Sequence, residues 1–527
     1  MWGCGAPCRR RCLEWMLRRT VTLLAGFVAA AALAGPAVGG PNLFVGVSDD
    51  FLKSEPAAAA SAIRDLGLSA VRVTLDWRPG QRSLGSHDAV SLQRATGAGS
   101  GARIVVAIYS DSSSDAPRTP EMREGFCSTA RDLLERFPQI NDVVLWNEPN
   151  KSSFWRPQFN EDGSSAAPAA YAALLARCYA VLHAVRPGVN VVHAGLSSTG
   201  NDRPDAVSNV SHSPGAFIRA EGEALRAGLA GRRAAAAGGQ LFDTFALHPY
   251  GETSLERPWK QHDASSTIAL GDWDKLMQAL WDAFQGTPQP TPQAGLPIWY
   301  VELGFQTSID PSAASSYTGA ENVDTLPAVA FRTLADSGEG PAPDQATQLA
   351  DSIRLAYCQP YVEGVFNFLL KDDPNLADWQ SGLIWTDWTR KGSYSALQRV
   401  IQEVKADAVD CSQLKGGPVR PFQPKQGVDV EQVAWSRTRS FNWKNDLWRF
   451  RIQTGEDASF AATLYRAGVP IFATSGELRK LYFSWVQFSR RRLAPGRYFF
   501  EIVLRSAESS SRTTRLTSPA FLVERKR

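Results

Sequence analysis

A (β/α)8 TIM barrel followed by a small all-β, immunoglobulin-like sandwich is the architecture this sequence predicts, and three observations predict it. Between residue 42 and about residue 407, eight short apolar runs alternate with amphipathic helical stretches. That is the rhythm of strands that each lead into a helix. Several runs are apolar throughout, as strands buried on both faces of a parallel sheet must be. Past Cys411 the helical spacing stops and apolar and polar residues alternate with a period of two, the mark of antiparallel strands with one buried face.

Taken in order, the chain first offers a targeting segment. Arg18 and Arg19 precede an apolar stretch, 21–33, which ends in small residues and a Gly/Pro break over 34–40. A basic start, an apolar core and a small-residue exit predict an export signal over residues 1–40, with Met16 as an alternative start. The apolar stretch is shorter than the roughly 20 residues that span a bilayer, so a retained anchor is the alternative to secretion. Cys4, Cys8 and Cys12 lie ahead of that core, and Cys127, Cys178, Cys358 and Cys411 remain. In an exported chain these four predict two disulfides in any of three pairings, with four buried thiols as the other reading.

The barrel spans 41–411. Its strands are read at 43–48, 70–75, 103–109, 143–146, 189–194, 242–247, 298–301 and 364–369. Ser54 can cap a helix over 57–66 that Gly67 closes, and Asp344 can cap one over 345–358. Leu174, Leu175, Cys178, Leu182 and Val185 recur at helical spacing and stop at Pro187-Gly188. The loops after strands five, six and seven are long and carry Trp259, Phe305 and Tyr317, which suits a substrate groove at the strands' carboxyl ends. A Gly/Pro-rich linker, 412–424, precedes the sandwich of 425–527, where Trp448, Phe450 and Ile452 alternate, as do Tyr498, Phe500, Ile502 and Leu504.

Composition narrows the function classes. The hydrophobic share of 44% and charged share of 21% suit a soluble globular chain. No glycine-rich phosphate loop follows any strand and no C-x-x-C spacing suggests zinc, so neither cofactor nor metal is expected. The net charge of +3 hides an asymmetry: residues 412–527 hold 21 basic against 9 acidic residues, and residues 41–411 hold 30 against 43. Nucleic acid is not an expected partner. The basic module suits contact with a cell-wall polymer or another anionic surface.

Two strands end in a carboxylate. Residues 143–146 run into Asn147-Glu148-Pro149, where Pro149 ends the pairing, and residues 298–301 run into Glu302-Leu303-Gly304. In a closed eight-stranded barrel, strands four and seven face each other across the mouth where such folds place their chemistry. Paired carboxylates across a sugar-sized gap are the equipment of a glycosidase: one protonates the leaving oxygen and the other attacks or activates water.

The stretches Trp146-Asn147-Glu148-Pro149-Asn150 and Val301-Glu302-Leu303-Gly304 resemble the clan A glycoside hydrolases. The segment Asn150 to Trp155 is similar to the residues just after this motif in family 39, and some family 5 members are also similar. The resemblance covers roughly 42–407 and implies Glu148 as acid/base and Glu302 as nucleophile. It further implies that Arg72 hydrogen-bonds the nucleophile and that Asn147 contacts the sugar 2-hydroxyl. His248 and Tyr250 would lie near the nucleophile, with Tyr250 orienting Glu302. The family 5 histidine after strand three is replaced by Tyr109-Ser110, and the usual tryptophan ending strand eight by Phe366-Asn367-Phe368. The sugar-ring floor is therefore expected among Phe368, Trp379 and Trp385. Asp49, Asp50, Asp76 and Trp77 are further sugar-binding candidates.

The function expected from these residues is a secreted retaining glycoside hydrolase acting on an oligo- or polysaccharide. A transglycosylase would use the same residues, and a non-catalytic polysaccharide-binding or cell-surface protein on the same scaffold is the reading from another class.

Overall fold

The computed structural model describes residues 40–228, 239–263, 265–320, 344–424, 427–435, 448–488, 493–507 and 513–523. The expected export signal up to residue 39, with its three cysteines, and the second half of the long loop before residue 344 lie outside the described residues.

The main sheet is parallel throughout and has nine strands: β1 (Phe44–Ser48), β2 (Ala70–Asp76), β3 (Arg103–Tyr109), β4 (Asp142–Leu145), β5 (Asn190–His193), β6 (Leu196–Ser197), β7 (Phe245–His248), β8 (Ile298–Leu303) and β9 (Val362–Phe368). Their order is β5-β4-β3-β2-β1-β9-β8-β7-β6. The two edge strands, β5 and β6, are thus neighbours in the chain, separated only by Ala194 and Gly195. A parallel bridge from Val192 to Thr244 links β5 to the approach of β7.

Two apolar layers explain why the sheet curls. One face collects Ala70, Val105, Ala107, Val144, Val192, Ala246, Trp299, Val301 and Phe366, with Phe44 packed against them. Those residues come from strands spread across the whole sheet, so it must wrap around them to bring them into one cluster. Arg103 covers the Phe44 and Trp299 rings at 4.3 and 4.8 Å. The opposite face meets the helices in a larger core that includes Val71, Val73, Val143, Leu145, Phe126, Leu175 and Leu280. Strands apolar on both faces follow from this double burial.

The strand predicted over 189–194 forms as β5, and the two-residue β6 that follows Gly195 is an addition the sequence did not predict. A Cβ on Gly195 would lie 2.0 Å from Nε2 of His248. The imidazole occupies the place where a side chain would stand, and only glycine leaves room for it.

Both disulfides form, pairing Cys127 with Cys178 and Cys358 with Cys411. The first staples helix Pro120–Arg136 to helix Ala167–Val185, which flank β4 in sequence. The second ties helix Gln345–Cys358 to the turn Cys411–Gln413. Loops of 51 and 53 residues are closed in this way, and cross-links of such span typically contribute about 2–4 kcal/mol.

The segment expected as a linker is strapped down: Leu414, Val419 and Phe422 pack on the main core. Beyond it, β10 (Val430–Ala434), β11 (Trp448–Thr454) and β14 (Ser484–Phe488) form one antiparallel sheet. A second consists of β13 (Val469–Leu478), β12 (Ala458–Arg466), β15 (Gly496–Ser506) and β16 (Thr513–Thr517), with β17 (Phe521–Val523) on β15. Phe450, Ile452 and Val486 from the first meet Leu464, Phe500, Ile502 and Leu504 from the second in one core. Of the period-two alternation read in the sequence, Phe450, Ile452, Tyr498, Phe500, Ile502 and Leu504 are on the buried side of these sheets.

A buried polar seam joins this module to the parallel sheet's helices. Arg219, on helix Pro214–Arg226, pairs with Asp282 at 2.9 Å and with Asp429 and Glu431 of the module. Nearby, Gln453 donates to Asp202 at 3.3 Å. Burial, and then the charge of Glu431, push the Asp202 carboxyl up to about 7. Because the folded value lies above that of the unfolded chain, the native state holds the extra proton between about pH 4 and 7. Stability from this group is therefore lost as pH rises through that window. Calorimetry should show the unfolding midpoint falling from pH 5 to pH 8, with a shallower fall in Asp202→Asn. An unchanged slope in that variant would rule out Asp202 as its source.

Candidate active site

Glu148 and Glu302 come together at the carboxyl ends of β4 and β8. The backbone delivers Glu148 through an unusual turn: Trp146 and Glu148 both have positive φ, 86° and 36°. Non-glycine residues rarely hold this conformation unless their surroundings enforce it. Here the Trp146 indole donates to Phe154 O at 3.0 Å, and the Glu148 N–H donates to Gly195 O at 3.1 Å. Asn150 locks the following loop, donating to Ser197 O and His212 O and accepting from Ser197 N–H.

One imidazole touches both carboxylates. Nδ1 of His248, fully buried at the end of β7, is 2.9 Å from Glu148 Oε1 and 3.5 Å from Glu302 Oε2. That one nitrogen is within hydrogen-bond distance of Glu148 and close to Glu302. The nearest oxygens of the pair can be no farther apart than those two distances laid end to end. His248 was expected near the nucleophile, and its shorter contact is with Glu148.

Arg72, on β2, is 2% exposed and sits under Glu302. Its Nη1 donates to Glu302 Oε1 at 2.8 Å and to Ser48 Oγ at 2.7 Å, and its Nη2 to Asn147 Oδ1 at 3.1 Å. The register explains the placement, since Arg72 lies opposite Ser48 on β1. Holding the Asn147 carbonyl in this way leaves the amide NH2 for the cleft. The Tyr250 hydroxyl donates to Glu302 Oε2 at 3.4 Å. Burial, then the charges of Glu302 and Glu148, push its pKa well up, so it remains a donor at any physiological pH. Lys151 follows Glu148 closely and donates to Thr199 Oγ1 at 2.9 Å. Burial lowers its pKa against the pull of Glu148.

Arg72, Asn147, Glu148, Tyr250 and Glu302 line a cleft of about 630 Å³ with Asp49, Asp50, Thr74, Tyr109, Phe154, Thr199, Glu252, Phe368, Asp373 and Trp379, a volume suited to a small-molecule or sugar subsite. Trp379 is 38% exposed, stands edge-on to Phe368 and leans on Tyr250, both at 5.4 Å between ring centroids. Of the three residues expected for the floor, Phe368 and Trp379 are in the cleft and Trp385 is not. Trp385 is buried in a small cluster with Ala313 and Tyr317.

Other sequence expectations are corrected. Trp77 is fully buried against Phe126, its indole donating to Gln81 O, so it is a core residue rather than a sugar contact. Asp76 points to solvent, paired with Arg78 at 2.7 Å. Asp49 does line the cleft, but its two oxygens accept from the backbone N–H groups of Phe51, Leu370 and Lys371. It ties the end of β1 to the loop after β9. Burial pushes its carboxyl up to about 7 against the pull of those donors. Phe305 and Tyr317, read as groove residues, are buried, and the Tyr317 hydroxyl donates to Asp372 at 2.7 Å.

Phe154, Thr199, Glu252 and Asp373 were missed as site residues. They sit on loops after strands, where no periodic pattern marks them. Among the described residues, Glu252, Glu256 and His262 could hold a metal ion. His262 is instead fully engaged, with Asp272 at 2.7 Å and Glu256 at 3.1 Å.

No family model and no curated protein matches the chain. Among solved structures, it is similar to a beta-glucuronidase from Bacteroides uniformis (13% identity, 93% of this chain and 47% of that one, TM-score 0.40). It is also similar to a glucosidase from Croceicoccus marinus (11% identity, 86% and 95%, TM-score 0.44). A third is a beta-galacturonidase from Eisenbergiella tayi bound to galacturonate (12% identity, 70% and 52%, TM-score 0.38). The chain spans less than half the length of the Bacteroides uniformis chains it matches.

Proposed function

We propose that this chain is a retaining glycoside hydrolase of clan A, built on a closed (β/α)8 barrel and exported by its N-terminal segment. The observation that carries the reading is the single imidazole nitrogen of His248 in reach of both Glu148 and Glu302. Carboxyl groups about 5–5.5 Å apart suit direct attack on the sugar, whereas an inverting pair stands about 6.5–9.5 Å apart to admit a water between. One nitrogen in reach of both acids supports the shorter spacing.

The roles divide by partner. Glu302 is ion-paired to Arg72, and with Tyr250 on its other oxygen it is held as an oriented carboxylate, fit to attack the anomeric carbon. Glu148 lies across the cleft as the group that protonates the departing glycosidic oxygen. Attack forms a glycosyl ester on Glu302 and releases the first product. Glu148, now a carboxylate, takes a proton from water, whose oxygen displaces Glu302 and regenerates both groups. The Asn147 amide is placed to donate to the sugar 2-hydroxyl as positive charge develops on the ring. Trp379 and Phe368 offer apolar faces on which a sugar ring can lie.

The test is product release from a panel of β-linked oligo- and polysaccharides and aryl β-glycosides, read by reducing-end assay and mass spectrometry. The reading expects products from at least one member. Binding of a polysaccharide with no product from any member would favour the non-catalytic alternative.

A further inference from the structure

The cleft is lined by six carboxylates, Asp49, Asp50, Glu148, Glu252, Glu302 and Asp373, and a single cation, Arg72. Arg72 is committed to Glu302. Two cations near the rim are held elsewhere: Lys53 by Asp50 at 3.0 Å and Lys371 by Glu55 at 2.7 Å. Lys151, just behind Glu148, is half-buried and turned to the Thr199 hydroxyl at 2.9 Å, so among the described residues that line the cleft no cation is left for an anionic sugar.

The acids are unequal. Asp49 is saturated by backbone donors and Asp50 by Thr74 and Lys53. Asp373 and Glu252 differ, and they line the cleft together with the aromatic pair Tyr250 and Trp379. Tyr250 leans on Trp379, Glu252 follows Tyr250 by two residues, and the Trp379 N–H reaches Asp373 Oδ2 only at 3.4 Å. The charges that act on Asp373 are Asp378 and Asp372, both negative. Glu252 Oε1 accepts from the hydroxyls of Ser265 and Thr267, with no cation among these donors. A half-buried carboxylate with like-charged neighbours, sharing a cleft with an exposed indole, is a receptor for a cation, since a ring face and a carboxylate both attract an ammonium.

We propose that this cleft selects its glycan by charge, taking sugars that bear a free ammonium, with Asp373 beside Trp379 as the residue that recognises it, and rejecting uronic acids. The proposal rests on the glycosidase reading for the identity of the ligand as a sugar. A uronate here would face several carboxylates with no free cation, a like-charge juxtaposition that suppresses binding. An amino sugar lying on Trp379 would instead place its ammonium between Asp373 and Glu252.

The test uses matched β-1,4-linked oligomers differing in one substituent: glucosamine, its N-acetylated form, glucose, and glucose oxidised to the uronate at C6. Affinity is measured by calorimetry on the full chain carrying Glu302→Gln, at low and high salt, and product release is followed separately with the unmodified chain. The glucosamine oligomer should bind most tightly, the uronate should not bind, and salt should narrow the difference. Adding Asp373→Asn should weaken the glucosamine oligomer about five- to tenfold and leave the N-acetylated one nearly unchanged. Glu252→Gln should act in the same direction, which separates loss of charge from any local misfolding at residue 373. Uronate binding as tightly as glucosamine, equal loss for both amino forms, or no oligomer bound at all would overturn the proposal. Products from the neutral oligomer in that case would leave the glycosidase reading standing. Binding with the expected order but no product from the unmodified chain would instead sink the glycosidase reading while the charge preference held.

Discussion

Glu302→Gln should leave a folded chain that still binds glycan but turns it over at least about 10⁴-fold more slowly, because loss of a covalent nucleophile removes the whole pathway. The amide keeps the shape of the carboxylate, so Arg72 retains an oxygen to hold at the position seen 2.8 Å from its Nη1. Lost activity with an unchanged unfolding midpoint is the expected pair of results. A variant retaining a tenth or more of the activity would show that Glu302 makes no bond to the sugar, and the assignment of roles would fail.

Glu148→Gln should cost about 10²–10⁴-fold, the usual range for a positioned general acid. Its signature is dependence on the leaving group. An alkyl glycoside, whose alkoxide needs a proton to depart, should lose most of its turnover. An aryl glycoside with an acidic phenol should form the glycosyl ester at a nearly normal rate and then stall, because the base for the second step is missing. A small anionic nucleophile such as azide needs no deprotonation and should restore turnover in Glu148→Ala. Equal losses for all leaving groups, with no rescue, would mean that Glu148 acts only through the position of His248.

Each part of the molecule leaves its own kind of signal in the chain, and that decides what was legible. The strands of the parallel sheet were readable because burial on both faces demands unbroken apolar runs, as at Val143, Val144 and Leu145. The two acids were readable because each interrupts such a run at its carboxyl end. Arg72 was legible only through the resemblance to the clan A enzymes; the structure pairs it with Glu302 at 2.8 Å.

Trp77 misled because a tryptophan just past a strand end looks the same whether it faces the cleft or turns under the following helix. Its ring found Phe126, a partner 49 positions away that no local pattern marks. Tyr317 and Trp385 misled similarly, since long loops can fold back on themselves and bury their aromatics. The need for glycine at 195, between β5 and β6, was hidden because it is set by His248, 53 residues later, whose ring fills the space where a Cβ would stand. Asp373 and Glu252 were invisible as site residues for the same reason, being ordinary loop acids until the fold set them in one cleft.

The central claim is that Glu302 attacks the sugar, and trapping the intermediate tests it most directly. A 2-deoxy-2-fluoro glycosyl donor with a good leaving group, matched to whichever sugar is turned over, slows both steps, the second more. One glycosyl unit should be added to the intact chain, located by peptide mass spectrometry on Glu302, and NMR of the unmodified reaction should show a first product of unchanged anomeric configuration. A label on any other residue, or a first product of inverted configuration, would contradict that claim.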